Sequence, residues 1–311
     1  MSTQEGLNHK RSIQDTPADL TKMQLVRQRL SALQGELGGE AEMGEIMRHL
    51  DALQDIFSDT KKLTIPFSSV QQSDLEKMGL ERKVFRLDRA ALEARIEKSD
   101  IEVKYIDALC LQISRIRRST SKRSGAGARM VLDAILLTIA DISFDAKEKL
   151  PVAIFPYMRI ASGDGVLVKN ARDGFEVYLI GNVDYGICTY QYEEYRVVVL
   201  GSSLDHLMIY TRNPIMLVEA KVEMLIDYLP QATSQAVALS EVTGTKTVRY
   251  CLSDGDAWMF LVYSRDDEGN RISYEGPVLT IDKRNLRSLV ELLYHWLRAD
   301  GDIKSDPLFE F

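Results

Sequence analysis

Cysteine, histidine, long apolar runs and excess positive charge are what this chain has little of, and each shortage excludes something. Three cysteines occur in 311 residues, Cys110, Cys188 and Cys251. An odd number, widely scattered, gives neither a disulfide framework nor metal-ligand spacing, and suits a reducing compartment. His9, His49, His206 and His295 never approach one another in sequence, so there is no zinc signature. No apolar run reaches the length of a membrane span, and Met1 to Gly6 open without an apolar signal segment. The expectation is a soluble intracellular chain, nuclear or cytoplasmic. The net charge of −7 argues against a protein that coats nucleic acid nonspecifically, because that binding rests on phosphate neutralisation. Any nucleic-acid contact must then be local.

Taken in order, residues 1–17 are polar and aperiodic and are expected to be a disordered tail. Residues 18–120 read as a helical domain. Met23, Val26, Leu30, Leu33 and Leu37 are spaced three, four, three, four, and after Gly38 and Gly39 the pattern resumes at Met43, Ile46, Leu50, Leu53 and Phe57. Two amphipathic helices joined by a diglycine turn make an antiparallel hairpin. Its seams serve either a homodimer or ordinary packing within the chain. Short helices are expected over Asp74 to Met78 and Asp88 to Glu97, and a longer one, capped by Asp100, carries Tyr105, Leu109, Ile113 and Ile116.

A basic run follows. Arg115, Arg117, Arg118, Lys122, Arg123 and Arg129 occur with no acid among residues 114–129. Such a run fits a linker at a domain boundary, and equally a local phosphate-tracking segment that an acidic protein would need to meet nucleic acid. Met130 to Ile142, with Val131, Ile135, Leu136 and Ile139 at helical spacing, predicts a helix.

From Pro151 the chain turns β-rich, and residues 121–311 predict an α/β domain with a central mixed sheet flanked by helices. Gly181-Asn182 turns the chain into an apolar run over Val183 to Tyr190, placing Asp184 at the mouth of a hairpin. Glu193 to Leu200 and Leu204 to Tyr210 read as a further strand or an insertion. Pro214 to Lys221, Pro-Ile-Met-Leu-Val-Glu-Ala-Lys, predicts a buried strand ending in opposite charges. Side chains alternate along a strand, so Leu217, Glu219 and Lys221 project together. Pro230 then opens a helix on which Gln231 and Gln235, four apart, are neighbours.

An aspartate after a turn, followed by Glu-x-Lys on the next core strand, resembles the PD-(D/E)xK, or restriction-endonuclease-like, nuclease superfamily. The Gly-x-x-Asp-Tyr turn ahead of Glu-Ala-Lys is closest in flavour to divergent fungal and Crinkler-type nuclease-like domains. The resemblance spans roughly residues 124–263 and implies a magnesium-dependent nuclease, or one using Mn²⁺, that hydrolyses phosphodiesters of DNA or RNA, with DNA the first expectation. Hydrolysing a phosphodiester calls for a divalent cation held by a few carboxylates, here Asp184 and Glu219, with Lys221 beside the water to be activated. Gln231 and Gln235 match glutamines that border the site in that superfamily. One departure stands out: the first core helix of the family carries a glutamate near its start, whereas Gly125 to Arg129 contains no acid. Asp133, one turn on, is the nearest replacement. That gap leaves room for a noncatalytic interaction protein that kept the fold, working through its helical N-terminal part.

Overall fold

The computed structural model describes residues 63–121, 125–146, 150–160, 163–170, 172–222, 224–282, 285–299 and 303–310. The expected N-terminal tail, the helical hairpin, a homodimer built on it, and the residues Lys122 and Arg123 lie outside the described residues.

In chain order the elements are β1 (Thr64–Pro66), α1 (Gln72–Lys77), β2 (Leu80–Val84), β3 (Arg86–Leu87), α2 (Arg89–Glu97), α3 (Val103–Ser119), α4 (Gly125–Asp145), β4 (Val152–Arg159), β5 (Val166–Lys169), β6 (Glu176–Ile180), β7 (Asn182–Thr189), α5 (Arg196–Gly201), α6 (Leu204–Tyr210), β8 (Met216–Ala220), α7 (Leu229–Thr243), β9 (Thr247–Ser253), β10 (Ala257–Arg265), β11 (Arg271–Thr280), α8 (Leu286–Arg298) and β12 (Phe309–Glu310). Seven strands form one mixed sheet in the order β2-β11-β10-β9-β8-β7-β4. Its β8–β9 and β11–β2 pairs are parallel and the others antiparallel. A three-stranded sheet, β1-β6-β5, and a two-stranded one, β12-β3, complete the set.

The large sheet is α/β because its middle strands are apolar on both faces. Every residue of β8, Met-Leu-Val-Glu-Ala, is buried, the signature of a central strand covered on two sides. Alternation sorts its side chains. Met216, Val218 and Ala220 join Tyr185 and Ile187 under α4 and α8, where Val131, Ile135, Ile139, Leu289 and Leu293 pack. Leu217, with Tyr250 and Leu252, meets Ala232, Ala236 and Leu239 of α7. The parallel β8–β9 pair needs a crossover between its strands, and α7 supplies it.

Three expectations differ from what is found. The boundary at residue 120 does not separate two domains: residues 63–311 form one compact unit. Within it β2 extends the large sheet, while Leu92, Ile101, Leu109 and Ile113 share a core cluster with Val131 and Trp258. Periodicity revealed that those helices had an apolar face, but not what the face was buried against. Of the strand or insertion read over residues 193–210, the strand does not form: Arg196–Gly201 and Leu204–Tyr210 are helices between β7 and β8, with Val199 and Leu207 buried; a short apolar run does not distinguish strand from helix. Finally, Gly181 is no hairpin tip. It is the crossing between β6, in the small sheet, and β7, in the large one. Its φ is +134°, and a Cβ there would come within 2.8 Å of the Phe67 ring, so both conformation and space ask for glycine. A smaller difference is at α3, which starts at Val103 after Glu102 with no side-chain cap, so Asp100 is not its cap.

Candidate functional site

Strand register assembles the site. The β7–β8 ladder pairs Tyr185 with Val218 and Gly186 with Leu217; one rung further, Asp184 stands opposite Glu219. On the other side of β7, Pro156 pairs with Tyr185 and Met158 with Val183, which sets Tyr157 opposite Asp184. Asp184 and Glu219 are both buried, at 8% and 4% exposure. Each carboxylate is gripped by the backbone of the other's strand: the Asp184 amide donates to Glu219 Oε2 at 3.2 Å, and the Ala220 amide to Asp184 Oδ2 at 2.9 Å.

Lys221 continues the line of β8, its amide donating to the Ser253 carbonyl at 2.7 Å. Strand alternation brings its ammonium to the Glu219 side, with Nζ 2.8 Å from Glu219 Oε1. From the facing layer, Gln231 Nε2 donates to Glu219 Oε1 at 2.5 Å and Gln235 Nε2 to Oε2 at 3.0 Å. Pro230 in the first turn of α7 starts the helix there, and the spacing of four turns both amides to the same carboxylate. Asp184, Glu219, Lys221, Gln231 and Gln235 are therefore in one place.

Arg129 is there as well, in a position the sequence did not suggest. Its Nε and a terminal nitrogen both donate to Asp184 Oδ1, at 3.2 and 2.6 Å. The small residues at the start of α4 let the helix come this close. Gly127 and Ala128 are buried, and Gly255, at φ +89°, packs so tightly that a Cβ on it would lie 3.2 Å from the Ala128 carbonyl. Both cations carry an aromatic ring: Arg129 Cζ lies 5.2 Å from the Tyr157 centroid and Lys221 Nζ 4.8 Å from that of Tyr228.

Burial pushes the Glu219 carboxyl above its ordinary pKa and the charge of Asp184 pushes it the same way, against the pull of Lys221 and Gln235. Burial works against the Arg129 charge, yet the hydrogen bond and charge of Asp184 prevail and raise its pKa. Two anions forced together in a poorly solvated place, and compensated by two cations, describe the centre.

These residues fit a divalent cation through the two carboxylates. They are hard oxygen donors, and such a cation would offset both the burial and the Asp184 charge that raise the Glu219 pKa. Among the described residues no group of three or more His, Cys, Asp or Glu is arranged to hold a metal. The protein would then contribute two ligands, as suits Mg²⁺, which keeps much of its water. Asp133 does not join them; its Oδ1 accepts from the Tyr185 hydroxyl at 2.7 Å. On Asp184 Oδ1 the cation would meet Arg129 as a competitor.

Among the described residues the basic run divides between two helices. Arg115, Arg117 and Arg118 sit near the end of α3, where cations complement the helix dipole. Arg117 is paired with Asp256, at 2.5 Å, and Arg115 and Arg118 are exposed. Arg129 belongs to the carboxylate centre instead. A linker spanning the whole run is excluded, because residues 115–119 and 125–129 are helical. Tyr157 and Tyr228 were missed in the sequence. Tyr157 sits in Val152 to Ile160, a stretch that mixes apolar residues with turns, and nothing local marks its backbone as left-handed.

No family model matches the chain, and no curated protein matches its sequence.

Proposed function

We propose that this chain is a metal-dependent nuclease built on a restriction-endonuclease-like core. The observation that carries the reading is the meeting of Asp184 and Glu219, one rung across two core strands, with the Lys221 ammonium 2.8 Å from Glu219. Asp184 and Glu219 would hold Mg²⁺ or Mn²⁺. Such a cation, when bound, neutralises charge building on a phosphate and acidifies water. Lys221, with its side chain 16% exposed, can orient the attacking water and stabilise negative charge developing on it. Gln231 and Gln235 fix the Glu219 carboxylate and act as positioning residues. Arg115 and Arg118, exposed on the acidic chain, are candidates for phosphate contacts.

A second reading has one observation in its favour. Arg129 lies on Asp184 Oδ1 with two nitrogens, so a guanidinium already supplies positive charge where the family's cation would be. That arrangement suits a noncatalytic protein that retains the fold as an interaction module. Incubating the purified chain with labelled DNA and RNA, in Mn²⁺ or Mg²⁺ and in chelator, separates the two. The nuclease reading expects cleavage that needs the metal and is lost in Glu219→Ala. Absence of cleavage on every substrate in either metal would make the interaction module the better account.

A further inference from the structure

We propose that Tyr157 and Tyr228 are stacking platforms for unpaired bases, so that the strand entering the Asp184–Glu219 site is single-stranded nucleic acid. The inference rests on the nuclease reading and adds to it a substrate class. Four observations converge on the two rings. Both side chains are exposed, Tyr157 at 59% and Tyr228 at 36%. Each ring faces a cation of the centre: Tyr157 meets Arg129, which holds Asp184, and Tyr228 meets Lys221, which holds Glu219. The ladder pairs on either side, Pro156 with Tyr185 and Met158 with Val183, bracket Tyr157 opposite Asp184.

Backbone strain is the fourth. Among the described residues two non-glycine residues have positive φ, Tyr157 at +52° and Met224 at +48°. Met224 is the residue that starts the short 3₁₀ turn Leu225–Tyr228. These two left-handed non-glycine residues thus occur where the two rings are presented. A bulky residue in this conformation is unfavourable, and glycine would adopt it without strain. The fold gains little from an exposed ring held at that cost. An exposed ring beside a phosphate-cleaving centre can take a base: stacking on tyrosine accepts any base, and the adjacent guanidinium and ammonium suit the flanking phosphates. In a duplex the base faces are already stacked on one another, so only an unpaired strand can use both rings.

The test is metal-free binding of the full chain, in chelator, to fluorescently labelled single-stranded DNA and RNA and to the matching duplexes, followed by polarisation. Variants are Tyr157→Gly, which keeps the left-handed backbone and removes the ring, Tyr157→Phe, which keeps the ring face, and Tyr228→Ala. Single strands are expected to bind more tightly than duplex. Tyr157→Gly and Tyr228→Ala should each weaken single-strand binding by about 5- to 150-fold, the range for one stacked base. Duplex binding should stay unchanged, and Tyr157→Phe should behave as the wild type. Thermal melts identify any variant whose loss comes from unfolding. Equal binding of single strand and duplex, no single-strand binding, or ring variants that bind as the wild type does would overturn the proposal. The nuclease reading is scored separately, by Mn²⁺-dependent cleavage. Ring-dependent binding without cleavage keeps the platforms and discards the nuclease; cleavage with no ring dependence of strand preference does the reverse.

Discussion

Arg129 places two nitrogens on a single oxygen of Asp184, Oδ1, at 3.2 and 2.6 Å. The carboxylate proposed to bind a cation is thus occupied by a guanidinium, supplied by the helix that, in the resembling superfamily, carries an acid. The relationship turns the absence of that acid into a measurable competition.

Removing Arg129 should therefore separate metal affinity from stability. In Arg129→Ala the Asp184 Oδ1 loses its partners at a buried position, which costs about 1–3 kcal/mol of folding stability. Mn²⁺ affinity should rise, because a competing positive charge has gone. Isothermal titration alongside a denaturant melt reads both quantities. Unchanged or weaker metal binding in a folded Arg129→Ala would show that the guanidinium does not stand in the way of a cation.

Lys221 tests the chemistry rather than the binding. Its ammonium touches Glu219 but supplies no ligand, so Lys221→Ala should keep metal affinity or raise it by removing a positive charge. Cleavage should fall by about 10²- to 10⁴-fold, the usual worth of a positioned proton-handling group. Single-turnover cleavage under saturating Mn²⁺ is the measurement. A variant that cleaves as fast as the wild type removes Lys221 from the mechanism.

Away from the site, His295 and Asp306 pair at 2.7 Å. Burial alone would raise the Asp306 pKa, but the His295 hydrogen bond and charge, with the Leu308 amide, bring it below the ordinary value. A depressed carboxyl pKa stabilises the fold above the unfolded value and loses that contribution as pH falls through the folded one. The wild type should thus exceed Asp306→Asn by about 1–3 kcal/mol near neutral pH. The gap should begin to shrink as pH drops below the ordinary aspartate value of about 3.9 and close as pH falls through the lower folded value. Urea melts of both proteins across that range check the sign; a gap that widens on acidification would reverse it.

Much of the centre could be read in the sequence because its information is local. Glu219 and Lys221 share a face by strand alternation, Gln231 and Gln235 share one by helical spacing, and the apolar run ahead of Glu219 marked a buried strand. Asp184 needed one further element, a second core strand opening just after a turn. What stayed hidden depends on contacts distant in sequence. Arg129 looked like part of a basic run, since nothing local says that Gly127 and Ala128 bring α4 against Gly255. Leu109 and Ile113 showed helical periodicity, yet their burial under the large sheet with Trp258 is tertiary, so a boundary was expected where there is none. Tyr157 was invisible for another reason: a positive φ at a tyrosine runs against its own propensity, and no local pattern announces it.

Calorimetric titration of Mn²⁺ into the wild type and into Asp184→Ala addresses the central claim, a cation held jointly by Asp184 and Glu219. The account predicts saturable binding to the wild type at one site, tightening as pH rises through the elevated Glu219 pKa, and none to folded Asp184→Ala. Equal binding by the two proteins, or no binding by the wild type at any pH where it is folded, would contradict it.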